Sequence, residues 1–341
     1  MSNAVAPLTG PAPGARPARR PAPLLWLRDG PDEVQSLAAG LDLVRQVARE
    51  DASEAWLCMI GNGTAHYLST YAGGDLLAEL YAGGNEVYGV VAPAGRVRTS
   101  EDTSEDTSAV VDGCWRFGSG ADRAAFMAMG CEPVAGRRTT VVLERARLRV
   151  EHVWQGPGLL ATGSHTLRAD GVRVRPEAVL DMSAVPAGRP WGIYADAQLF
   201  LANMPGVAIG LAERLLEVLG AGLAPGSAWF AAYAEAHTRV VLARRGLTGL
   251  LQSLDGLARA GRLGPFAPAL RAEYHAVLSA AYHVCLDAVV ALAEACDSRD
   301  AQLRGWLSEA RVDALTMRPH AAMRPSGTLL TAVPAPQGAR G

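Results

Sequence analysis

The chain has 341 residues, 49% of them hydrophobic and 19% charged, with a formal net charge of −2. That is enough apolar material for a sizeable core, and a balance so close to neutral leaves no electrostatic footprint for nucleic acid or an anionic membrane surface. Every basic Lys/Arg position is arginine, and five scattered cysteines (Cys58, Cys114, Cys131, Cys285, Cys296) without a CxxC pair fit reduced thiols in the cytoplasm better than a disulfide framework or a zinc site.

Residues 1–30 are rich in Pro, Ala and Arg. Their apolar cluster, Leu24 to Leu27, is too short for a signal-peptide core, and the segment reads as a mobile tail. No apolar run approaches the ~20 residues of a membrane span. From 31 to 85 the pattern is helical. Val34, Leu37, Leu41, Val44 and Val47 share one stripe, with Asp32 and Glu33 in the first turn. A second helix is expected over Glu54 to Tyr71 and a short third over Leu76 to Tyr81, ended by Gly83-Gly84.

From 86 to 182 the texture is that of an antiparallel, barrel-like β domain. Val87 to Val91 reads as a strand and Pro93-Ala94-Gly95-Arg96 as a turn. The tandem repeat Ser100-Glu101-Asp102-Thr103, Ser104-Glu105-Asp106-Thr107 reads as a solvated hairpin loop. Strands are expected over Val110 to Phe117, Arg123 to Gly130, Thr139 to Leu143 and Arg147 to Trp154. His165 to Ala169 and Val172 to Val174 follow, joined by a hairpin turn at Asp170-Gly171.

From 190 to 330 the helical pattern returns. The expected helices are Ala195 to Gly220, bent at Pro205, then one from an N-cap at Ser227 to Arg259, Ala269 to Cys296 after Pro268, and a last one from Asp300 to Met317. Four helices on short Gly/Pro loops argue for a four-helix bundle, with Tyr274 and Tyr282 in its core. The fold class is therefore α+β: N-terminal helices, a middle antiparallel β-barrel-like domain and a C-terminal bundle.

Chemistry concentrates in two small-residue turns. One closes the strand Gly113-Cys114-Trp115-Arg116-Phe117-Gly118-Ser119-Gly120; the other is Ala161-Thr162-Gly163-Ser164-His165. A planar, uncharged ring needs an aromatic wall, hydroxyl donors, and glycine where backbone passes at contact distance, and Trp115, Ser119, Gly120, Thr162 and Ser164 are of those kinds. Gly118-x-Gly120 lacks the third glycine and the helix of a dinucleotide fingerprint, and Ser119 sits in no nucleophile elbow. No metal site is expected. His275 and His283 lie two turns apart on one helix face, open to a catalytic role or to ordinary packing.

The pair of turns, in this order, resembles the acyl-CoA dehydrogenase fold and most closely its flavin-dependent monooxygenase branch, which carries a Trp-x-Phe-Ser-Ser-Gly strand and a later Gly-Thr-Gly-Ser turn. Pro93-Ala94-Gly95 is similar to the family's segment that runs past the flavin. The resemblance implies a flavin (FAD or FMN) held by Ala94, Trp115, Phe117, Ser119, Gly120, Thr162 and Ser164. Trp115 would wall the ring and Ser119 would bond near N5, while Arg244 or Arg245 would hold the rest of the flavin across a subunit boundary. It further implies a small organic substrate, reduced flavin from a separate reductase, and a homo-oligomer, dimer or tetramer. In the last helix the family carries an Arg-Asp-x-His run; with Trp306 as its aromatic, Ala310 takes the histidine's place, which leaves Glu309, His283 and His275 as candidates for proton handling. Two alternatives follow from that departure: a flavin-dependent acyl-thioester dehydrogenase with Glu309 as base, or a family member without redox chemistry that acts as a cyclase or binding protein.

Overall fold

A computed structural model describes residues 36–99, 109–183, 197–224, 226–263 and 266–326. The tail expected over 1–30, the acidic first turn at Asp32 and Glu33 and the tandem repeat at 100–107 lie outside the described residues.

Three helices come first: α1 (Leu37–Ala48), α2 (Ala52–Tyr71) and α3 (Gly74–Leu80). α1 starts later than its apolar stripe suggests and is capped twice. Ser36 Oγ accepts the Ala39 N–H at 3.1 Å, and the buried Asp255 carboxylate accepts those of Leu37 and Ala38 at 2.9 and 3.1 Å. Asp51 caps α2 through the Glu54 N–H. α2 is buried along most of its length because it serves two cores. Ala55, Met59 and Ala65 pack among the helices, whereas Leu57, Tyr67, Leu68 and Tyr71 pack against the sheet.

The strands β1 (Val87–Thr99), β2 (Ala109–Gly118), β3 (Phe126–Val134), β4 (Arg137–Glu144), β5 (Arg149–Glu151), β6 (His165–Val174) and β7 (Val179–Asp181) form one sheet, ordered β5-β6-β2-β1-β3-β4-β7. Neighbours are antiparallel except β1 and β3, which run parallel. The sheet is thus mixed rather than wholly antiparallel as expected, and its edge strands β5 and β7 do not pair with each other among the described residues. Two expected turns are strand. Pro93-Ala94-Gly95-Arg96 lies inside β1, where the register against β3 jumps from Val90↔Met129 to Gly95↔Cys131 and residues 91–94 bulge outward. Asp170-Gly171 lies inside β6 as a bulge opposite Asp112, whose Oδ1 accepts the Gly171 N–H at 2.7 Å. Long-range pairing with β2 overrides the local hairpin preference.

Four longer helices complete the chain: α4 (Pro205–Ala221), α5 (Phe230–Arg259), α6 (Pro268–Ala295) and α7 (Ala301–Met317). Pro205 opens α4 rather than bending a longer helix, and the preceding Ala197–Leu201 is a 3₁₀ turn. Ser227 accepts the Ala224 N–H in a turn instead of capping α5, whereas Asp300 caps α7 as expected through Gln302 and Leu303. α6 packs on α4, α5 and α7, with Tyr274 and Tyr282 fully buried. α1 joins this bundle by lying so close to α4 that a Cβ on Gly210 would overlap the Arg45 carbonyl. Although no run in the sequence stood out as a span, α6 and the stretch Leu199–Ala221 are long and apolar enough to cross a membrane by length and composition; their most apolar windows are 50% and 78% buried, and α6 packs on α4, α5 and α7.

Candidate functional site

β2 ends in a bulge against β6 between Trp115 and Gly118. There Phe117 adopts φ 59°, a left-handed backbone that costs a non-glycine residue energy, and holds its ring 62% exposed. The second turn is a 3₁₀ turn, Leu160–Thr162, entered through Leu159 at φ 51° and left through Gly163 at φ 53°. The turns meet: the Gly120 N–H donates to the Thr162 carbonyl at 2.7 Å. Their buried hydroxyls form a ladder. Trp56 Nε1 of α2 donates to Ser119 Oγ at 3.1 Å, Ser119 Oγ lies 2.9 Å from Ser164 Oγ, Ser164 Oγ lies 2.7 Å from Thr162 Oγ1, and Thr162 donates to the Leu159 carbonyl at 2.8 Å.

Two further groups converge on it. The Leu159 N–H donates to Asp313 Oδ1 of α7 at 2.7 Å, and burial pushes the Asp313 carboxyl up to about 6 despite that bond. His320, just past α7, meets Trp56 edge-on with ring centroids 5.5 Å apart. Burial pushes its imidazole down to about 4, so it is neutral at pH 7, and its Nδ1 is buried without a hydrogen-bond partner. Arg123, with its side chain 8% exposed, bridges Glu54 of α2 and Glu86 before β1, pinning the first turn in place.

Nearby, Asp122, His152 and His165 offer ligand atoms within 4.8 Å of one another. The hydrogen bonds argue against a metal there. His165 Nδ1 accepts the Trp154 N–H at 3.1 Å, which places the proton on Nε2, and Nε2 faces Asp122 Oδ2 at 3.1 Å. A metal at Nε2 would have to displace that proton while Nδ1 stays occupied.

Of the residues expected at the site, Ser119, Thr162 and Ser164 come together in the ladder. Phe117 stands exposed beside them, and Ala94 lies exposed on the β1 bulge. Trp115 is a correction. It is fully buried, its Nε1 donates to the Gly130 carbonyl at 2.7 Å, and its ring fills the space that Cβ atoms on Gly95 and Gly113 would need. In this structure it lines no open surface and supports the bulge from beneath, and the aromatic exposed at the turn is Phe117. Gly120 sits at φ 82°, and a Cβ there would overlap the Tyr88 ring.

His275 and His283 are also corrected. Their Nε2 atoms bond the carbonyls of Ala322 at 3.2 Å and Met323 at 2.8 Å, so α6 uses them to hold the segment after α7. Glu309 is exposed on α7, one turn before Asp313. Arg244 lies on α5 with Nε 3.0 Å from Glu213, lining a cleft of about 450 Å³ with Arg45 and Arg259 and apart from the turns. Trp56, Asp313 and His320 were missed. Aligning the last helix on Trp306 pointed to Ala310; Arg311-Val312-Asp313 was the sequence signal for Asp313, whereas Trp56 and His320 reach the site only through the fold.

No protein-family description matches the chain. Indole-3-acetate monooxygenases are similar in sequence: that of Acinetobacter baumannii is 29% identical over 210 residues, 59% of this chain and 51% of the relative, and that of Pseudomonas putida 25% over 199 residues, 56% and 49%. The chain thus matches about half the length of these curated relatives. Among solved structures, the HsaA monooxygenase from M. tuberculosis superposes with a TM-score of 0.74 at 20% identity, covering 90% of this chain and 85% of that one. The 3-HSA hydroxylase from Rhodococcus sp. RHA1 gives 0.72 at 21% identity (87% and 81%). XiaF from Streptomyces sp., solved with FADH2 and glycerol, gives 0.73 at 16% (87% and 80%). The chain shares its fold with these three proteins.

Proposed function

We propose that the chain is a flavin-dependent monooxygenase of a small organic, aromatic substrate, using reduced flavin delivered by a separate reductase. The observation that carries the reading is the meeting of the two turns: exposed Phe117 and Leu160, a buried hydroxyl ladder, and the unpartnered Nδ1 of a neutral His320 beside it. That set fits a tricyclic flavin, which needs an apolar face, hydrogen-bonding edges and dry surroundings. The names of the similar proteins agree: they act on indole-3-acetate, and structural neighbours hold FADH2, or FMN with indole.

Reduced flavin, when bound, supplies the electrons that activate O₂, one oxygen entering the substrate and the other leaving as water. The chain's residues do the rest. Phe117 and Leu160 cover apolar ring surface and exclude water. Ser119 would meet the ring edge. His320, held by Trp56, accepts a proton at Nδ1 from a substrate hydroxyl or ring N–H. A dehydrogenase of acyl thioesters needs a free carboxylate base. Asp313 is committed to the Leu159 N–H and Glu309 is exposed, so the oxygenase reading is favoured.

We place the domain boundaries at 31–85, 86–182 and 190–330, helices, sheet and bundle in turn. Arg244, with Arg45 and Arg259, is the candidate for the flavin's outer, anionic part in a homo-oligomer. The test is to supply reduced FMN or FAD, isotope-labelled O₂ and a panel of indoles and phenols to the purified chain. A product carrying one labelled oxygen supports the reading. Flavin oxidation with no labelled product from any of them contradicts it.

A further inference from the structure

His320 lies on the short connection between α7, which ends at Met317, and a 3₁₀ turn at Ala321–Met323. Two backbone bonds fold that connection around it. The His320 N–H donates to the Met317 carbonyl at 3.1 Å, and the His320 carbonyl accepts the Met323 N–H at 3.1 Å. Bonds of this strength do not by themselves offset the entropy of ordering a surface connection. One face of α6 adds the missing constraint. His275, Ser279, Tyr282 and His283 recur at helical spacing and all reach this connection. The Tyr282 hydroxyl donates to the Met317 carbonyl at 2.8 Å, the same oxygen that accepts the His320 N–H, so both of its lone pairs are filled. Ser279 Oγ and His283 Nε2 each meet the Met323 carbonyl at 2.8 Å, and His275 Nε2 meets that of Ala322 at 3.2 Å. A carbonyl only accepts, so both histidines carry a proton on Nε2 and keep it when a second proton arrives at Nδ1. The grip therefore survives a change of charge on α6. Ser279, Tyr282, Met317 and Met323 are buried, so water does not replace these bonds.

We infer that this face of α6 is a clamp that positions His320: by gripping carbonyls on both sides of it, the helix aims the imidazole at Trp56 and keeps Nδ1 in its buried place. The inference rests on the reading of His320 as proton acceptor. His275, Ser279, Tyr282 and His283 are positioning residues, which act through the backbone and not on the ligand. The clamp is redundant at one end. The Met323 carbonyl has two donors, so loss of one leaves the other, whereas loss of Tyr282 and Ser279 together weakens both ends at once.

The test uses the full chain, isotope-labelled at the histidine ring carbons and followed by NMR, with the His320 signal assigned by its absence from His320→Gln. Burial holds the His320 imidazole down to about 4, so the wild-type signal should stay that of the neutral ring down to about pH 5.5 and show through-space contact with the Trp56 indole. The titratable groups on the elements around it are His275 and His283 on α6, Asp313 on α7, bound to the Leu159 N–H, and Glu54 on α2, paired with Arg123. In Ser279→Ala with Tyr282→Phe the indole contact is lost and the ring takes up its proton at least tenfold more readily, moving toward the ~6.5 of a free histidine. With a substrate that yields labelled product, kcat falls about tenfold or more while KM stays within about twofold. Val289→Ala, buried on the same helix without a polar group, is the control: it lowers thermal stability but leaves the His320 signal as in the wild type. Tyr282→Phe alone gives a smaller change in the same direction should the double variant fail to fold. An unchanged His320 signal in the double variant, or an equal change in Val289→Ala, overturns the clamp. A freed ring with unchanged kcat overturns its part in the chemistry. No labelled product from the wild type overturns the flavin reading, and the NMR signal still decides the clamp.

Discussion

The chain places ring-bearing and titratable side chains in two regions, and they differ in how far their hydrogen-bonding capacity is used up. On α6, the Nε2 atoms of His275 and His283 are bound to backbone carbonyls, as are the hydroxyls of Ser279 and Tyr282. At the paired turns, two non-glycine residues sit in left-handed backbone, an aromatic ring is held in solvent, and a neutral histidine nitrogen is buried without a partner. Satisfied groups hold a fold together; strained and unsatisfied ones have been left for a ligand. The same residue type, histidine, has its Nε2 bonded to a backbone carbonyl in one region and a buried, unpartnered Nδ1 in the other.

His320→Gln should lower turnover about hundredfold, the usual worth of a positioned proton acceptor. His283→Gln, measured in the same steady-state assay, should stay within about threefold of wild type while its thermal midpoint drops. Reversed outcomes would exchange the roles of the two regions. Next comes Trp115→Phe, which strands the Gly130 carbonyl and leaves a small cavity under the β1 bulge; urea unfolding should show a loss of about 2 kcal/mol.

Stability against pH separates Asp313 from His320. The folded-state value of His320 is depressed to about 4, so the unfolded chain binds the proton first, and stability is lost as pH falls from about 6.5 toward 4. That of Asp313 is raised to about 6, so the folded chain holds the proton longer, and stability falls as pH rises from about 4 to 6. Each contributes about 2 kcal/mol after allowance for the partly open edge of the site. His320→Gln should remove the first loss and Asp313→Asn the second in chemical denaturation series across that range. The smallest effect is Ser279→Ala on α6, about 1 kcal/mol from its lost bond to the Met323 carbonyl.

The legible parts of the sequence were those governed by local rules. The helices after Pro268 and Asp300, the buried tyrosines of α6 and the two turns all follow from caps, periodicity and small-residue signals within a few positions. What failed was set at long range. Asp170-Gly171 is a good hairpin turn in isolation, and Pro93-Ala94-Gly95 a good loop, but pairing with β2 and β3 absorbed both as bulges. The fate of Trp115 turned on glycines across the sheet, at Gly95 and Gly130, which no spacing rule announces. Trp56 and His320 reach the site from 63 residues before Ser119 and from beyond α7, so only the fold could bring them to it.

On the reading proposed here, Phe117 and the ladder beside it bind reduced flavin. Anaerobic titration of the wild type and of Phe117→Ala with reduced FMN and FAD tests it most directly. Saturable binding by the wild type, weakened about tenfold in the variant by loss of the exposed ring, is the predicted result. A wild type that leaves reduced flavin unbound, or a variant that binds it just as tightly, would contradict the claim.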